Sequence, residues 1–249
     1  MGCGWRTEAG TIPCGMRPDP PVNGENNMSS SLSDVLLKPD AFFRALVSGH
    51  ESLKIPALIV LSGAVVAAVH GYFMGGLSAK MMADVMPGMD TIITLSATAV
   101  AFVAIFFLWL VAAGVFYLLS SFFKGQGSFN RVLEVVGYGY LPQVAGSVVS
   151  LVAGILYIPK IAVPVLSKAA LQDPAMIQQA TKAFMHDPAM MELTQITTLV
   201  SIVCLLLSAH IWIYGMTHAR SLSPRDAALC VGVPVVLYVL YLIWNLGAL

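Results

Sequence analysis

Two histidines inside long apolar segments are the leading candidates in this chain for proton transfer or metal binding. His70 lies in the apolar segment 55–79, and His210 lies in the segment 193–219. If both segments are helices, a rise of about 1.5 Å per residue separates the two imidazoles by on the order of 10 Å in depth, too far to share one metal ion. No Asp, Glu, Lys or Arg stands at the centre of such a segment, which removes the usual groups for proton or sodium coupling. We interpret each histidine as a hydrogen-bonded packing residue.

Hydroxyl side chains in the same segments are the candidate nucleophiles. They have no paired His and acid at recognisable spacing, and the chain contains no His-Glu-x-x-His, Gly-x-Ser-x-Gly or phosphate-binding Gly-Lys-Ser motif. Ser and Thr in apolar helices usually donate to a backbone carbonyl one turn back, and the four cysteines have no metal-ligand spacing. We expect a protein that is not an enzyme and uses no metal or cofactor. The hydroxyls considered are Ser62, Thr98, Ser147, Thr197 and Ser201.

The elements that must position these residues are five long segments without a formal charge. Each exceeds the roughly 20 residues that a helix needs to cross a bilayer. Hydrophobic residues make up 57% of the chain and charged residues 10%, against about 25% charged in an average soluble domain. The prediction is an all-α, multi-pass cell-membrane protein, a bundle of five transmembrane helices with short interfacial amphipathic helices. The segments are 55–79, 91–123, 135–159, 193–219 and 227–249.

The N-terminal region differs in character from the rest. Residues 1–33 carry no apolar signal core and little helical periodicity, so we predict a disordered segment there and a membrane domain over 34–249. Met28 is a candidate for the true start, because Met28-Ser29-Ser30-Ser31 leads directly into patterned sequence.

Orientation follows from the basic residues of the loops, which concentrate on the cytoplasmic side of membrane proteins. With the N-terminus inside, nine Lys and Arg lie on the inner segments and four on the outer ones. We therefore expect a cytoplasmic N-terminus and a C-terminus outside. The formal net charge is zero without a basic cluster, so nucleic acid is not an expected partner. The inner set is Arg6, Arg17, Lys38, Arg44, Lys54, Lys124, Arg131, Arg220 and Arg225, and the outer set is Lys80, Lys160, Lys168 and Lys182.

Two kinds of loop helix are predicted. On the inner side, Pro39 fits a helix first turn, and Phe42, Phe43 and Leu46 follow at helical spacing, which indicates a short helix in the membrane plane. In the outer loop 160–192, Asp-Pro-Ala-Met occurs at 173–176 and again at 187–190. Asp is a good N-cap and Pro suits the first helical position, so each copy should begin a helix.

Small residues recur every fourth position in the first and third apolar segments. Such ladders let two helices approach closely in lipid, where packing replaces the hydrophobic effect as the driving force. We predict that the first and third spans form a close pair, within the chain or between protomers. The ladders are Gly63, Ala67, Gly71 and Gly75 in the first span, and Gly146, Ser150 and Gly154 in the third.

The entry to the third span resembles the Yip-domain family of small five-span membrane proteins, and in particular its prokaryotic members. The family carries a Gly-Tyr-x-x-x-Pro element at the cytoplasmic start of that span, and Gly137, Tyr138 and Pro142 fit it. The segment Leu37-Lys38-Pro39-Asp40-Ala41-Phe42-Phe43 is similar to the entry of prokaryotic members. The similarity extends roughly from Val35 to the C-terminus.

This resemblance implies a non-enzymatic membrane adaptor, since eukaryotic relatives associate with Rab-type GTPases and with one another. The chain lacks the acidic Asp-Leu-Tyr-Gly-Pro element of those relatives, which weighs against a GTPase partner. We therefore expect a scaffold that contacts the lipid bilayer and binds itself or another membrane protein, with Gly137, Tyr138 and Pro142 as its cytoplasmic motif. The alternative is a transporter or permease subunit for a small solute. In that case His70, His210, Asn245 and Pro234 would line the path.

Overall fold

A computed structural model describes residues 27–247, with the side chains of 27–31, 170, 171 and 247 excepted. The described part of the chain is all helical. Two short 3₁₀ helices, Ile158–Lys160 and Lys168–Gln172, lie in the loop after the third span. The α-helices are α1 Asn27–Leu37, α2 Pro39–Ser48, α3 Lys54–Met81, α4 Asp90–Phe122, α5 Phe129–Gly139, α6 Leu141–Tyr157, α7 Pro174–Met185, α8 Pro188–Ala219 and α9 Pro224–Gly247.

Five membrane-spanning helices form the body of the protein, as the apolar segments predict. Four of the candidate spans lie in α3, α4, α8 and α9, and the remaining one covers Phe129–Lys160. Their most apolar stretches have mean hydropathies between 1.8 and 2.7. Many of their large apolar side chains remain exposed in the isolated chain, where lipid would cover them.

The third span is divided at Tyr140 into α5 and α6. Pro142 has no backbone N–H, so it cannot continue the hydrogen-bond ladder. The backbone N–H of Tyr140 donates to the carbonyl of Gly137, three residues earlier, at 3.2 Å. This is the bond of a 3₁₀ turn; in an α-helix the same N–H would donate to the carbonyl of Val136. The irregular entry expected from Pro142 and the neighbouring glycines is therefore present, and it leaves the carbonyl of Val136 without its usual partner.

The helix expected before the first span is α2, which begins at Pro39. Helix α1 includes residues 27–33, the end of the predicted N-terminal segment 1–33, while residues 1–26 lie outside the described chain. Val35 of α1 is fully buried in one apolar cluster with Phe43 and Tyr138. Helix α1 is thereby packed onto the bundle through apolar contacts. Its serine-rich start has too little hydrophobic periodicity to predict them from the sequence.

Both Asp-Pro copies begin helices, as predicted. The Asp173 carboxylate accepts from Ala175 N–H at 2.9 Å and caps α7. The Asp187 carboxylate accepts from the N–H groups of Ala189 and Met190, at 3.0 and 3.1 Å, and caps α8, which continues into the fourth span.

The small-residue ladders mediate close packing, but not mainly between the first and third spans. A Cβ atom on Gly71 would lie 2.7 Å from the Cβ of Ala101, and one on Gly75 would lie 2.9 Å from that of Ala97, so α3 packs tightly on α4. Within this chain, Gly71 and Gly75 therefore face α4 rather than the ladder of the third span. Close pairing of the two ladders stays a prediction.

Other ladder residues reach different neighbours. A Cβ on Gly146 would lie 2.6 Å from Sγ of Cys204 on α8, so the ladder of the third span packs on the fourth. The first and third spans still touch: a Cβ on Gly63 would lie 3.1 Å from Val144, and one on Gly154 would lie 4.0 Å from the His70 ring. Ala67 and Ser150 line a partly open cavity between the spans.

Candidate functional site at the α2 end

We call the α2 end the part of the bundle formed by α1, α2, α5 and the loops 123–128 and 220–223. Gly137 and Tyr138 of the family-like motif lie inside it, and Pro142 follows in the first turn of α6. Tyr138 is 4% exposed, and its ring packs edge-on against Phe42 and Phe43 of α2, at centroid distances of 5.0 and 6.4 Å. A Cβ on Gly137 would lie 2.5 Å from the Cβ of Pro56, and Pro142 is also buried. Tyr138 holds α2 against α5, and Gly137 lets α5 approach the first span closely. All three residues are buried, so in this conformation they are not open to a partner.

Two tryptophans donate hydrogen bonds to backbone carbonyls of α5. Nε1 of Trp212 donates to the carbonyl of Val136 at 3.0 Å, which supplies the bond lost when Tyr140 N–H bonded to Gly137. Nε1 of Trp109 donates to the carbonyl of Leu133 at 3.0 Å. Freed backbone groups at membrane depth need such partners because lipid provides none. The indole of Trp212 also needs a residue without a Cβ beside it, since a Cβ on Gly139 would lie 1.9 Å from Nε1.

A buried ion pair lies at the start of α5. Nη1 of Arg131 is 2.7 Å from Oε2 of Glu134, and the two side chains are 8% and 1% exposed. The same guanidinium donates to the carbonyls of Leu46 at 3.2 Å and Gly49 at 2.7 Å. Arg131 therefore satisfies backbone oxygens at the C-terminal end of α2, where a helix leaves carbonyls unpaired and favours a cation.

Glu134 fixes the segment that follows α2. Its Oε1 accepts from the backbone N–H of Ser52 at 3.2 Å, while Oε2 is held by Arg131. The hydroxyl of Ser128, which caps α5 by accepting from Arg131 N–H at 3.1 Å, also bonds to Glu51. One connected network thus joins the α2–α3 connection to the first turn of α5.

A second buried cation holds the α4–α5 loop. The Arg220 side chain donates to Oγ of Ser120 at 2.9 Å, to the carbonyl of Gly125 at 2.7 Å and to the carbonyl of Gly127. Its guanidinium lies 4.4 Å from the ring centroid of Tyr117, within cation–π range. Gly127 has φ +124°, and a Cβ there would lie 2.3 Å from the carbonyl oxygen of Ala219, so only glycine fits this turn.

A third polar contact ties α2 to the fourth span. Nε2 of His218 lies 2.8 Å from Oδ1 of Asp40, whose other oxygen binds Arg44 at 2.7 Å. The hydrogen bond with His218, followed by the nearby positive charge of Arg44, holds the pKa of Asp40 below its ordinary value. Asp40 is therefore ionised over the whole physiological range.

The sequence analysis did not assign Arg131, Glu134, Arg220, Asp40 or His218 to a site. Arg131 and Arg220 served there only as basic residues that set the orientation. The available signal was that Arg131, Glu134, His218 and Arg220 lie at or near the end of an apolar segment, where an ionisable side chain in a membrane protein requires a partner. The partners on other elements lie 82 to 178 residues away along the chain, as with Arg131 to Gly49 and Asp40 to His218.

The residues named for a transport path are not gathered together. His70 lines a partly open cavity, whereas His210 is exposed on α8 beside Tyr214, at a ring-centroid distance of 5.1 Å. Asn245 is exposed on α9, where its amide donates to the carbonyl of Tyr241 at 2.7 Å. Pro234 lies within α9 and is not among the described residues that line the cavity.

No group of three His, Cys, Asp or Glu side chains suited to a metal ion occurs within the described residues. The α2 end satisfies buried backbone groups and holds an amphipathic helix and two loops against three spans. The fold and this buried polar cluster define a multi-pass α-helical membrane protein whose α2 end is a platform fixed by buried polar contacts.

The sequence matches the Yip1 domain over residues 33–245, and the chain belongs to that family. An uncharacterized protein of the archaeon Methanocaldococcus jannaschii is 32% identical to it over 121 residues, which cover 49% of this chain and 86% of that protein. The similarity supports a member of the prokaryotic type. No solved structure matches the chain.

Proposed function

We propose that this protein is a membrane adaptor, and that the α2 end is the surface on which it receives another membrane protein or a second copy of itself. The observation that carries this proposal is the use of two buried arginines to fix surface segments. Arg131 and Arg220 are 7% and 3% exposed. Ionisable groups are costly in a membrane protein and generally serve a function, and here both hold loop or helix-end carbonyls in place.

The platform supports a set of outward-facing side chains of mixed character. Phe122 is 83% exposed and Leu37 is 78% exposed. The charged residues Lys38, Arg44 and Glu51 are also exposed. A surface that is rigid before binding loses less conformational entropy when a partner docks. The buried motif residues Gly137, Tyr138 and Pro142 would then act indirectly, by fixing α2.

We also propose that the α2 end faces the cytoplasm, which leaves the C-terminus outside. The basic residues of α2, of the α4–α5 loop and of the α8–α9 loop lie at this end, and the positive-inside bias places such residues on the cytoplasmic side. A single cysteine introduced at Lys38 should react with a membrane-impermeant maleimide only after cells are opened, whereas one at Lys182, in the loop at the opposite end, should react in intact cells. The reverse pattern would overturn this orientation.

Cross-linking in the native membrane, with purification through an N-terminal tag and mass spectrometry, tests the adaptor role. We expect a near-stoichiometric membrane-protein partner, or a second copy of the chain, that is lost with Arg44→Glu. Lys182→Glu is the matched control, since it makes the same charge change on exposed helix α7 at the opposite end. Equal recovery with both variants, or a protein that purifies alone and monomeric, would contradict the proposal.

Transport of a small solute is a second candidate, favoured by the cavity that His70 lines among the spans. Solute flux into reconstituted vesicles should then fall with His70→Ala and persist with His210→Ala, because His210 is exposed away from the cavity lining. Equal flux in both variants and in the unmodified protein would remove the cavity from any transport path.

A further inference from the structure

A partly open cavity of about 450 Å³ lies among the four helices α3, α4, α6 and α8. Small-molecule sites typically measure roughly 300–1,000 Å³, so the space is large enough for a ligand. It falls within the membrane-spanning lengths of all four helices. It is separate from the α2 end, and the inference drawn from it does not depend on the adaptor role.

The cavity has a polar wall and an apolar wall. Helices α6 and α8 contribute polar side chains, namely Gln143, Ser147, Ser150, Thr197 and Ser201. Helices α3 and α4 contribute Val66, Ala67, Ala101, Ala104 and Ile105, with His70 as the polar exception among the described lining residues. The polar residues follow helical spacing on each helix, so they share one face of α6 and one face of α8. A ligand that fits both walls must be amphipathic.

The hydrogen bonds that the polar wall already makes limit which ligand groups it can bind. The Ser147 hydroxyl donates to the carbonyl of Val144 at 2.7 Å, and the Thr197 hydroxyl donates to that of Leu193 at 2.9 Å. What remains on these oxygens is acceptor capacity. The carboxamide of Gln143, which offers donors and an acceptor, has no hydrogen bond to another described residue. An unpaired amide at this depth costs free energy unless water or a ligand satisfies it.

We propose that this cavity is a binding site for an uncharged lipid alcohol, a molecule with at least one free hydroxyl and a hydrocarbon chain. The ligand hydroxyl would donate to Ser147 or Thr197 and accept from Gln143, while its chain lies against Ala101, Ala104 and Ile105. The ligand is uncharged because the described lining contains no Asp, Glu, Lys or Arg to pair with a charge. A soluble polyol would leave the apolar wall unmatched, and a pure hydrocarbon would leave the polar wall unmatched.

The test uses the full-length protein in phosphatidylcholine nanodiscs with a diacylglycerol that carries a diazirine in one acyl chain. We expect photolabelling of α3 or α4 beside the cavity, and competition by unlabelled diacylglycerol. Glycerol and the methyl ether of the same diacylglycerol should not compete, because one lacks the chains and the other lacks the hydroxyl donor. Equal competition by the methyl ether, competition by glycerol, or labelling confined to the exterior of α9 would overturn the proposal.

Two variants test the assignment of the walls. Ser150→Phe places a ring in the cavity and should reduce labelling to background, whereas Ser62→Phe, on the exposed face of α3, should leave it unchanged. Because Ser150→Phe can fail to fold, Gln143→Leu provides a milder change of nearly equal volume. It should keep the labelling but raise by about fivefold the concentration of unlabelled diacylglycerol that halves it, as expected for one lost hydrogen bond from the Gln143 amide to the ligand oxygen. An unchanged concentration would contradict the role of Gln143, and undiminished labelling of well-folded Ser150→Phe would exclude the cavity as the site.

Discussion

Nε1 of Trp212 donates a 3.0 Å hydrogen bond to the carbonyl of Val136, the backbone oxygen that the break at Tyr140 leaves unpaired. The fourth span thereby supplies from a side chain what the third span loses from its own backbone. A helix can be irregular at membrane depth only where a neighbour repairs it. The break and the indole are therefore one structural unit, although 76 residues separate them.

Trp212→Phe should destabilise the protein, because phenylalanine keeps an aromatic ring but cannot donate to Val136. A buried carbonyl left unsatisfied costs about 1–3 kcal/mol. We expect a lower midpoint in thermal unfolding followed by size-exclusion chromatography in detergent. Trp244→Phe is the control, since Trp244 is 78% exposed, and an equal shift in both variants would show that the hydrogen bond to Val136 contributes nothing.

Gly71→Ala should weaken the packing of α3 on α4. The added Cβ would lie 2.7 Å from the Cβ of Ala101 and 3.0 Å from the carbonyl oxygen of Ala97, and overpacking of this kind costs about 1–3 kcal/mol. Gly76→Ala meets nothing within 4 Å and should stabilise the helix slightly, by up to about 1 kcal/mol. Opposite signs of the two shifts in unfolding midpoint are expected. A stabilising Gly71→Ala would contradict close packing at this position.

Glu134→Gln should be strongly destabilising although the side chain keeps its shape. The change leaves the guanidinium of Arg131 buried without its carboxylate, and removal of one partner of a buried pair costs about 3–5 kcal/mol. Thermal unfolding and trypsin sensitivity at the α2 end would report the loss.

The matched control is the exposed pair of Asp40 with Arg44. There Arg44→Gln should change stability by about 1 kcal/mol or less, because solvent screens an exposed pair. If Glu134→Gln behaved like Arg44→Gln, the buried network would not be what holds α2.

The docking of α2 should depend on pH through Asp40. The pKa of Asp40 is lower in the folded protein than in the unfolded chain, where it is 3.8. The folded state therefore binds fewer protons, so this contribution to stability is present above pH 3.8 and disappears as the pH falls below that value. Hydrogen-exchange protection factors of α2, corrected for intrinsic rates, should be constant near neutral pH and decrease as the pH falls below about 4.

Asp40→Asn should show low α2 protection already at neutral pH, without the acid-dependent decrease. Asp173→Asn is the control: it alters the cap of α7 at the opposite end and should leave α2 protection unchanged. An acid-dependent decrease that persists in Asp40→Asn would assign it to another group.

The sequence by itself determined the class and most of the elements. Apolar segments longer than a bilayer crossing specify the five spans. Pro39, Asp173 and Asp187 specify where helices begin, because their preferences act on the nearest backbone groups. Gly137, Tyr138 and Pro142 were sufficient to indicate the Yip1 domain family, which the comparison confirms.

Only the tertiary structure decided which surfaces these residues face. The sequence gives no distance between Arg131 and Gly49 or between Asp40 and His218, and a ladder such as Gly63 to Gly75 is compatible with several neighbouring helices. In lipid, helix pairing depends on detailed packing and on polar contacts rather than on general hydrophobicity. For that reason the periodicity of one helix cannot name its partner, and the buried polar cluster and the two-walled cavity became visible only in the folded chain.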